Sequence, residues 1–165
     1  MDFPNTAKIY DANAVYAKAE NYCAYQERSQ LEVRDKLGEW GLKLAEAEAA
    51  IAKLVENDFL NEERFAIAYA TGKFNQKGWG RIKIKQGLKL KRVPDVLIKK
   101  ALEQINGDAY YEILVKTIRK KATLLTEKNP VKRRYKLQQF AMSRGFEGDL
   151  VNDVLRDISE NSKIT

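Results

Sequence analysis

The sequence predicts an all-α chain of three tandem three-helix repeats forming an elongated array, and three observations carry that prediction. A six-point apolar pattern occurs three times: Val33, Leu37, Leu42, Ala47, Ile51, Leu54; then Ile84, Leu88, Val93, Ile98, Leu102, Ile105; then Leu137, Ala141, Phe146, Val151, Leu155, Ile158. With Leu42, Val93 and Phe146 as origins, each copy has members at −9, −5, 0, +5, +9 and +12, and the origins lie 51 and 53 residues apart. Positions four and seven apart share one face of an α-helix, so each copy holds two helical seams folded back on one another at the origin. No strand signal competes, because apolar–polar alternation is brief wherever it occurs.

The 165 residues divide accordingly into a lead over 1–10, repeats over 11–60, 61–106 and 107–160, and a tail over 161–165. The lead carries Asp2 and Pro4, lacks an apolar signal core and reads as disordered. The first helix is expected from about Asp11 to Glu27. Ser29 with Glu32 three residues on is a capping box, in which serine oxygen and glutamate satisfy orphan amides reciprocally, so the second helix starts near Gln30. It stops at Trp40 and Gly41, where glycine can turn left-handed without a Cβ clash. A third helix spans about Ala45 to Glu56. The middle repeat has helices near Glu62 to Asn75, Arg81 to Lys91 and Pro94 to Gln104, with Pro94 placed in a first turn that needs no amide donor. The last has helices near Asp108 to Thr126, Pro130 to Ser143 and Glu147 to Ile158, with Gly145 at its stop. Lys77-Gly78-Trp79-Gly80 is the clearest break inside a repeat, a place where another backbone could come close or where the chain simply turns.

Several function classes are poorly supported. Apolar runs fall far short of the roughly 20 residues that span a bilayer. The single cysteine, Cys23, cannot form an internal disulfide and suits a reducing cytoplasm, where it is expected to pack in the core. With no histidine, the chain lacks the commonest general base and metal ligand, and no GxxxxGK[ST] or GxGxxG loop cradles a phosphate. Carboxylate pairs at Glu62 and Glu63, and at Asp149 and Asp153, sit at helix starts, where the dipole favours negative charge. The chain is expected not to be an enzyme and to carry no catalytic residue, cofactor or metal.

Charge is distributed unevenly about a net +7. Residues 1–60 hold 7 basic and 11 acidic groups, residues 61–106 hold 11 and 4, and residues 107–165 hold 12 and 8. No acid occurs from Arg64 to Pro94 or from Lys128 to Phe146, so cations there lack local counter-ions. Arg81, Lys85 and Lys89 are spaced by four and form a stripe on one helix. A solvated face is the plain reading of one such run, and two runs at equivalent places in successive repeats favour a partner surface. Aromatics interleave with the cations as in proteins that stack nucleic-acid bases. Phe74 falls on a core face, while Trp79 and Tyr135 stay open between burial and stacking or partner contact.

The segments Arg28-Ser29-Gln30-Leu31-Glu32-Val33-Arg34-Asp35-Lys36-Leu37, Trp40-Gly41-Leu42 and Phe59-Leu60-Asn61-Glu62-Glu63-Arg64-Phe65-Ala66 resemble the RecX family of bacterial recombination regulators. So do Lys77-Gly78-Trp79-Gly80-Arg81-Ile82, similar to that family's G-x-x-R-I, and Ser143-Arg144-Gly145-Phe146, similar to its closing R-G-F. The resemblance runs from about residue 12 to 160. Arg92 departs from it, standing where a glycine is expected before Val93, which shifts the expected stop of that helix to Pro94.

The resemblance implies nine helices in a modestly curved array that binds RecA in the groove of its filament with single-stranded DNA, restraining ATPase, strand-exchange and co-protease activities. Binding candidates are Arg81, Lys85, Lys89 and Arg92 in the middle repeat and Lys132, Arg133, Lys136 and Arg144 in the last; Arg28 and Arg34, ringed by acids, are weaker. A monomer with weaker direct DNA binding is expected. The alternatives are an α-helical DNA-binding protein acting without RecA and, more remotely, a metal-dependent nuclease using the carboxylate pairs.

Overall fold

A computed structural model describes residues 11–162. The expectations for residues 1–10 and 163–165 lie outside them. Among the described residues there are nine helices and no strand: α1 (Ala12–Tyr25), α2 (Gln30–Glu39), α3 (Leu44–Glu56), α4 (Glu62–Lys77), α5 (Arg81–Leu90), α6 (Asp95–Glu103), α7 (Gly107–Leu124), α8 (Pro130–Ser143) and α9 (Gly148–Ser162). The predicted elements are all present, with ends shifted by a few residues. Every member of the six-point pattern is buried except Leu42, Leu102 and Ile158, which are half-buried. The repeat is therefore a record of packing.

The chain forms two compact units. One comprises the described residues up to Phe65 with Lys91–Val93; the other comprises Ala66–Leu90 and the residues from Pro94 onward. In the first, Val15, Ala19 and Cys23 of α1 pack with Val33 and Leu37 of α2 and Ala47, Ile51 and Leu54 of α3. The capping box is present: Ser29 Oγ accepts from Glu32 N at 3.1 Å, and Glu32 Oε2 accepts from Ser29 N at 2.9 Å. Because Ser29 is fully buried, its side chain has no water to fall back on. In the second unit Phe74, Ile84, Leu88, Ile98, Tyr110, Leu114, Ile118, Ala141, Phe146 and Val151 fill the interior. Phe74 stacks on Tyr110 and is core, as its helical face foretold.

The folding-back joints share one backbone device. Gly41 (φ +97) and Gly145 (φ +96) are left-handed. At the first joint Leu42 N donates to Leu37 O and Gly41 N to Gly38 O; at the third Phe146 N donates to Ala141 O and Gly145 N to Met142 O. These paired bonds satisfy carbonyls that the helix end would orphan. Asp58 (φ +62) does the same after α3, with Phe59 N on Leu54 O and Asp58 N on Val55 O.

The middle joint corrects the sequence expectation. Arg92 itself adopts φ +56, so the left-handed stop survives without glycine, and α5 ends at Leu90 rather than being halted by Pro94. Nor does Pro94 occupy a first helical turn. With φ −59 and ψ 144 it is the N-cap of α6. The strain of an L-residue at this φ, about 1 kcal/mol, is tolerable because the flanking Val93 is anchored by burial.

Candidate partner surface

The strongest feature is a junction in the second unit where two sequence landmarks meet. Gly80 N donates to Arg144 O at 2.8 Å and Ile82 N to Gly145 O at 2.9 Å. In return the Arg144 guanidinium donates to Lys77 O at 2.9 Å. A Cβ on Gly80 would stand 2.3 Å from the carbonyl carbon of Gly145, and one on Gly145 would stand 2.4 Å from Lys83 Cβ. The break at Lys77–Gly80 is thus a site of close backbone approach, and the approaching backbone is the chain's own. A half-buried network seals it. Tyr110 Oη donates to Glu147 Oε1 at 2.5 Å and accepts from Arg81 N at 3.0 Å, while Arg81 Nη1 donates to Glu147 Oε2 at 3.0 Å and its guanidinium lies 3.8 Å from the Tyr110 ring centre. Burial, then the bond to Glu147, pushes the Tyr110 hydroxyl well above its ordinary pKa.

Each candidate cation can now be placed. Arg81 is committed to Glu147 and Tyr110, and Arg144 to the carbonyl of Lys77. Arg133 caps the end of α7, donating to Ala122 O at 2.6 Å, Leu125 O at 3.2 Å and Glu127 O at 3.3 Å. Lys136 pairs with Glu127 at 3.1 Å and, with the amide of Asn129, holds that carboxyl below the usual range. Lys85, Lys89, Arg92 and Lys132 are exposed and have no side-chain partner among the described residues. Lys85 and Arg81 line a groove of about 590 Å³ between α5 and α6, where Asp95, Lys99 and Glu103 mix the charge. Among the aromatics, Tyr135 is 60% exposed on α8, whereas Trp79 is half-buried with Lys73 and Lys83 ammonium groups 4.9 and 4.5 Å from its ring centre.

Sequence reasoning missed a second groove, of about 430 Å³, between the end of α4, α7 and α8. Five cations line it, Lys77, Lys116, Lys120, Lys121 and Arg144, and no acid does. The four-residue step from Lys116 to Lys120 was the available signal, hidden because α7 also carries Asp108 and Glu112.

Several charges of the acidic first unit pair within it. Arg34 binds Glu48, which raises the guanidinium pKa and lowers the carboxyl, and Arg64 binds Glu27 at 3.0 Å and Asp58 at 2.8 Å. Glu62, one of the paired carboxylates, accepts from Gln30 N at 2.9 Å, and Asp153 pairs with Arg156 at 2.6 Å. Burial pushes the Cys23 thiol up to about 11, so it is a packing group and a poor nucleophile.

Three family models match in order: the first three-helix domain of RecX over residues 16–54, the second over 61–102 and the third over 108–155. The regulatory protein RecX of Bacillus mycoides (strain KBAB4) is 23% identical over 150 residues, covering 91% of this chain and 56% of the relative. That of Bacillus anthracis (strain A0248) is 24% identical with the same coverage. The chain thus spans little more than half the length of these curated relatives. The crystal structure of RecX from Lactobacillus salivarius matches with a TM-score of 0.82 at 26% identity, over 90% of this chain and 97% of that one. A crystal structure of a regulatory protein RecX matches in fold with a TM-score of 0.81 at 23% identity, over 88% and 71%.

Proposed function

Since the chain belongs to the RecX family, we propose that it binds RecA on its filament with single-stranded DNA and restrains ATP hydrolysis, strand exchange and co-protease activity there, acting in DNA repair and the SOS response. On this reading it works as a cytoplasmic monomer, by contact alone, with no catalytic group, cofactor or metal. The observation that supports it is the division of the cations. Lys85, Lys89 and Lys132 stand exposed on helices whose other faces are locked into the core, and a partner carrying carboxylates or phosphates can supply the missing counter-charge. Arg81, Arg133, Lys136 and Arg144 contribute by holding that surface in shape.

The test is single-strand-dependent ATP hydrolysis by RecA with sub-stoichiometric amounts of this protein. Wild type suppresses turnover, and Lys85→Glu with Lys89→Glu relieves the suppression with helical content unchanged. Arg81 is left alone, because its loss breaks the Glu147 pair and confuses folding with binding. If wild type leaves RecA turnover untouched while binding naked DNA tightly, the protein acts on DNA without RecA.

A further inference from the structure

The groove beside α7 is not used by the contact proposed above. We propose that it holds a single strand of nucleic acid, with phosphates against Lys116, Lys120 and Arg144 and an unstacked base against Ile113, Leu124 and Phe140. The assignment does not require RecA.

Charge is the first reason, since five cations converge with no acid lining the groove. Lys116 and Lys120 are exposed and have no side-chain partner among the described residues, while Arg144, already bound to Lys77 O, adds its charge to the lining. The second reason is the kind of polar group present. Lysine and arginine only donate, and Thr117, the lone hydroxyl in the lining, gives its proton to Ile113 O at 2.7 Å. A phosphodiester backbone only accepts and so matches such a lining, whereas an acidic peptide brings amide N–H groups for which the lining carries no carboxylate or side-chain amide. Spacing is the third. Four residues of helix advance about 6 Å, close to the step between phosphates of an extended strand. Finally, the apolar residues discriminate within nucleic acid: a duplex hides its base faces, while a single strand offers one to the 69%-exposed Leu124, beside the half-buried Phe140 whose ring centre lies 4.8 Å from the Lys121 ammonium.

Anisotropy of a short labelled oligothymidylate, measured without RecA, tests this. Lys116→Glu with Lys120→Glu is expected to weaken binding at least tenfold and to reduce the salt slope by about 1.4, two contacts at roughly 0.7 each on single strands. Lys43→Glu with Lys53→Glu, on exposed lysines of the first unit, makes the same change in net charge and is expected to keep most of the affinity. Leu124→Asp should weaken single-strand binding by severalfold. Equal losses from the two charge-reversal pairs would overturn the proposal by showing that net charge alone governs binding. So would displacement of the oligothymidylate by duplex DNA or polyglutamate as efficiently as by unlabelled single strand. Suppression of RecA ATPase is read separately, so a failed groove and a failed regulator reading give different results.

Discussion

The two compact units solve the same problem of pinning a middle helix with opposite chemistry. The first amide of α2, Gln30 N, is held by the carboxylate of Glu62, and that of α5, Arg81 N, by the hydroxyl of Tyr110. Around the first lie ion pairs reaching solvent: Arg34 with Glu48, Arg64 with Glu27 and Asp58, Lys91 with Glu32. Around the second, backbone bonds and a half-buried Arg81–Tyr110–Glu147 cluster do the holding. The first unit ties Arg34, Arg64 and Lys91 to its own carboxylates and leaves Arg92 without a side-chain partner among the described residues. The second commits Arg81, Arg133, Lys136 and Arg144 to its own fold and still leaves Lys85, Lys89 and Lys132 without a side-chain partner among the described residues.

Breaking the second unit's junction should have the largest effect. Gly80→Ala forces a methyl into the Gly145 backbone, which cannot retreat without surrendering two hydrogen bonds, and should cost about 3 kcal/mol, lowering the melting temperature by roughly 6–12 °C. Tyr110→Phe keeps the ring stacking but strips Glu147 and Arg81 N of a partner, for a loss of about 2 kcal/mol in urea unfolding.

That variant also separates pH effects. The Tyr110 pKa is raised on folding from an ordinary value of 10.0, so its contribution is complete below pH 10 and drains away as pH rises further. Cys23 follows the same sign between 9.0 and about 11. Wild type should therefore lose stability in alkaline urea titrations from about pH 9 upward, and Tyr110→Phe should lose less of it above pH 10. In the first unit, Ser29→Ala should cost about 1 kcal/mol, readable as a lower urea midpoint. Smallest of all, Arg92→Gly should raise stability by under about 1 kcal/mol, relief of the left-handed strain slightly exceeding glycine's extra chain entropy. The same change removes a candidate cation without harming the fold.

Helix number, seams, the capping box and two glycine stops were all legible, because each depends on residues within a turn or two of one another. Phe74 as core and Cys23 as packing were legible for the same reason. Arg92 misled, since the sign of its φ is imposed by the joint around it and not by its own preference. The candidate cations were legible as charges but not as free charges. Whether Arg133 caps a helix or faces a partner depends on the loop from Leu125 to Glu127 folding back to it, which no local spacing encodes. Likewise the G-x-x-R-I and R-G-F resemblances marked two places in the chain without showing that they bind each other.

The amides of Gly80 and Ile82 donate to carbonyls more than sixty positions further along the chain. Bonds that close so long a loop open only when the flanking segments part. In deuterated buffer these two protons should outlast those of neighbouring solvent-facing turns. Their exchange is a clock for the coming-apart of α5 from the α8–α9 joint, and any partner that clamps or loosens the second unit will be timed by it.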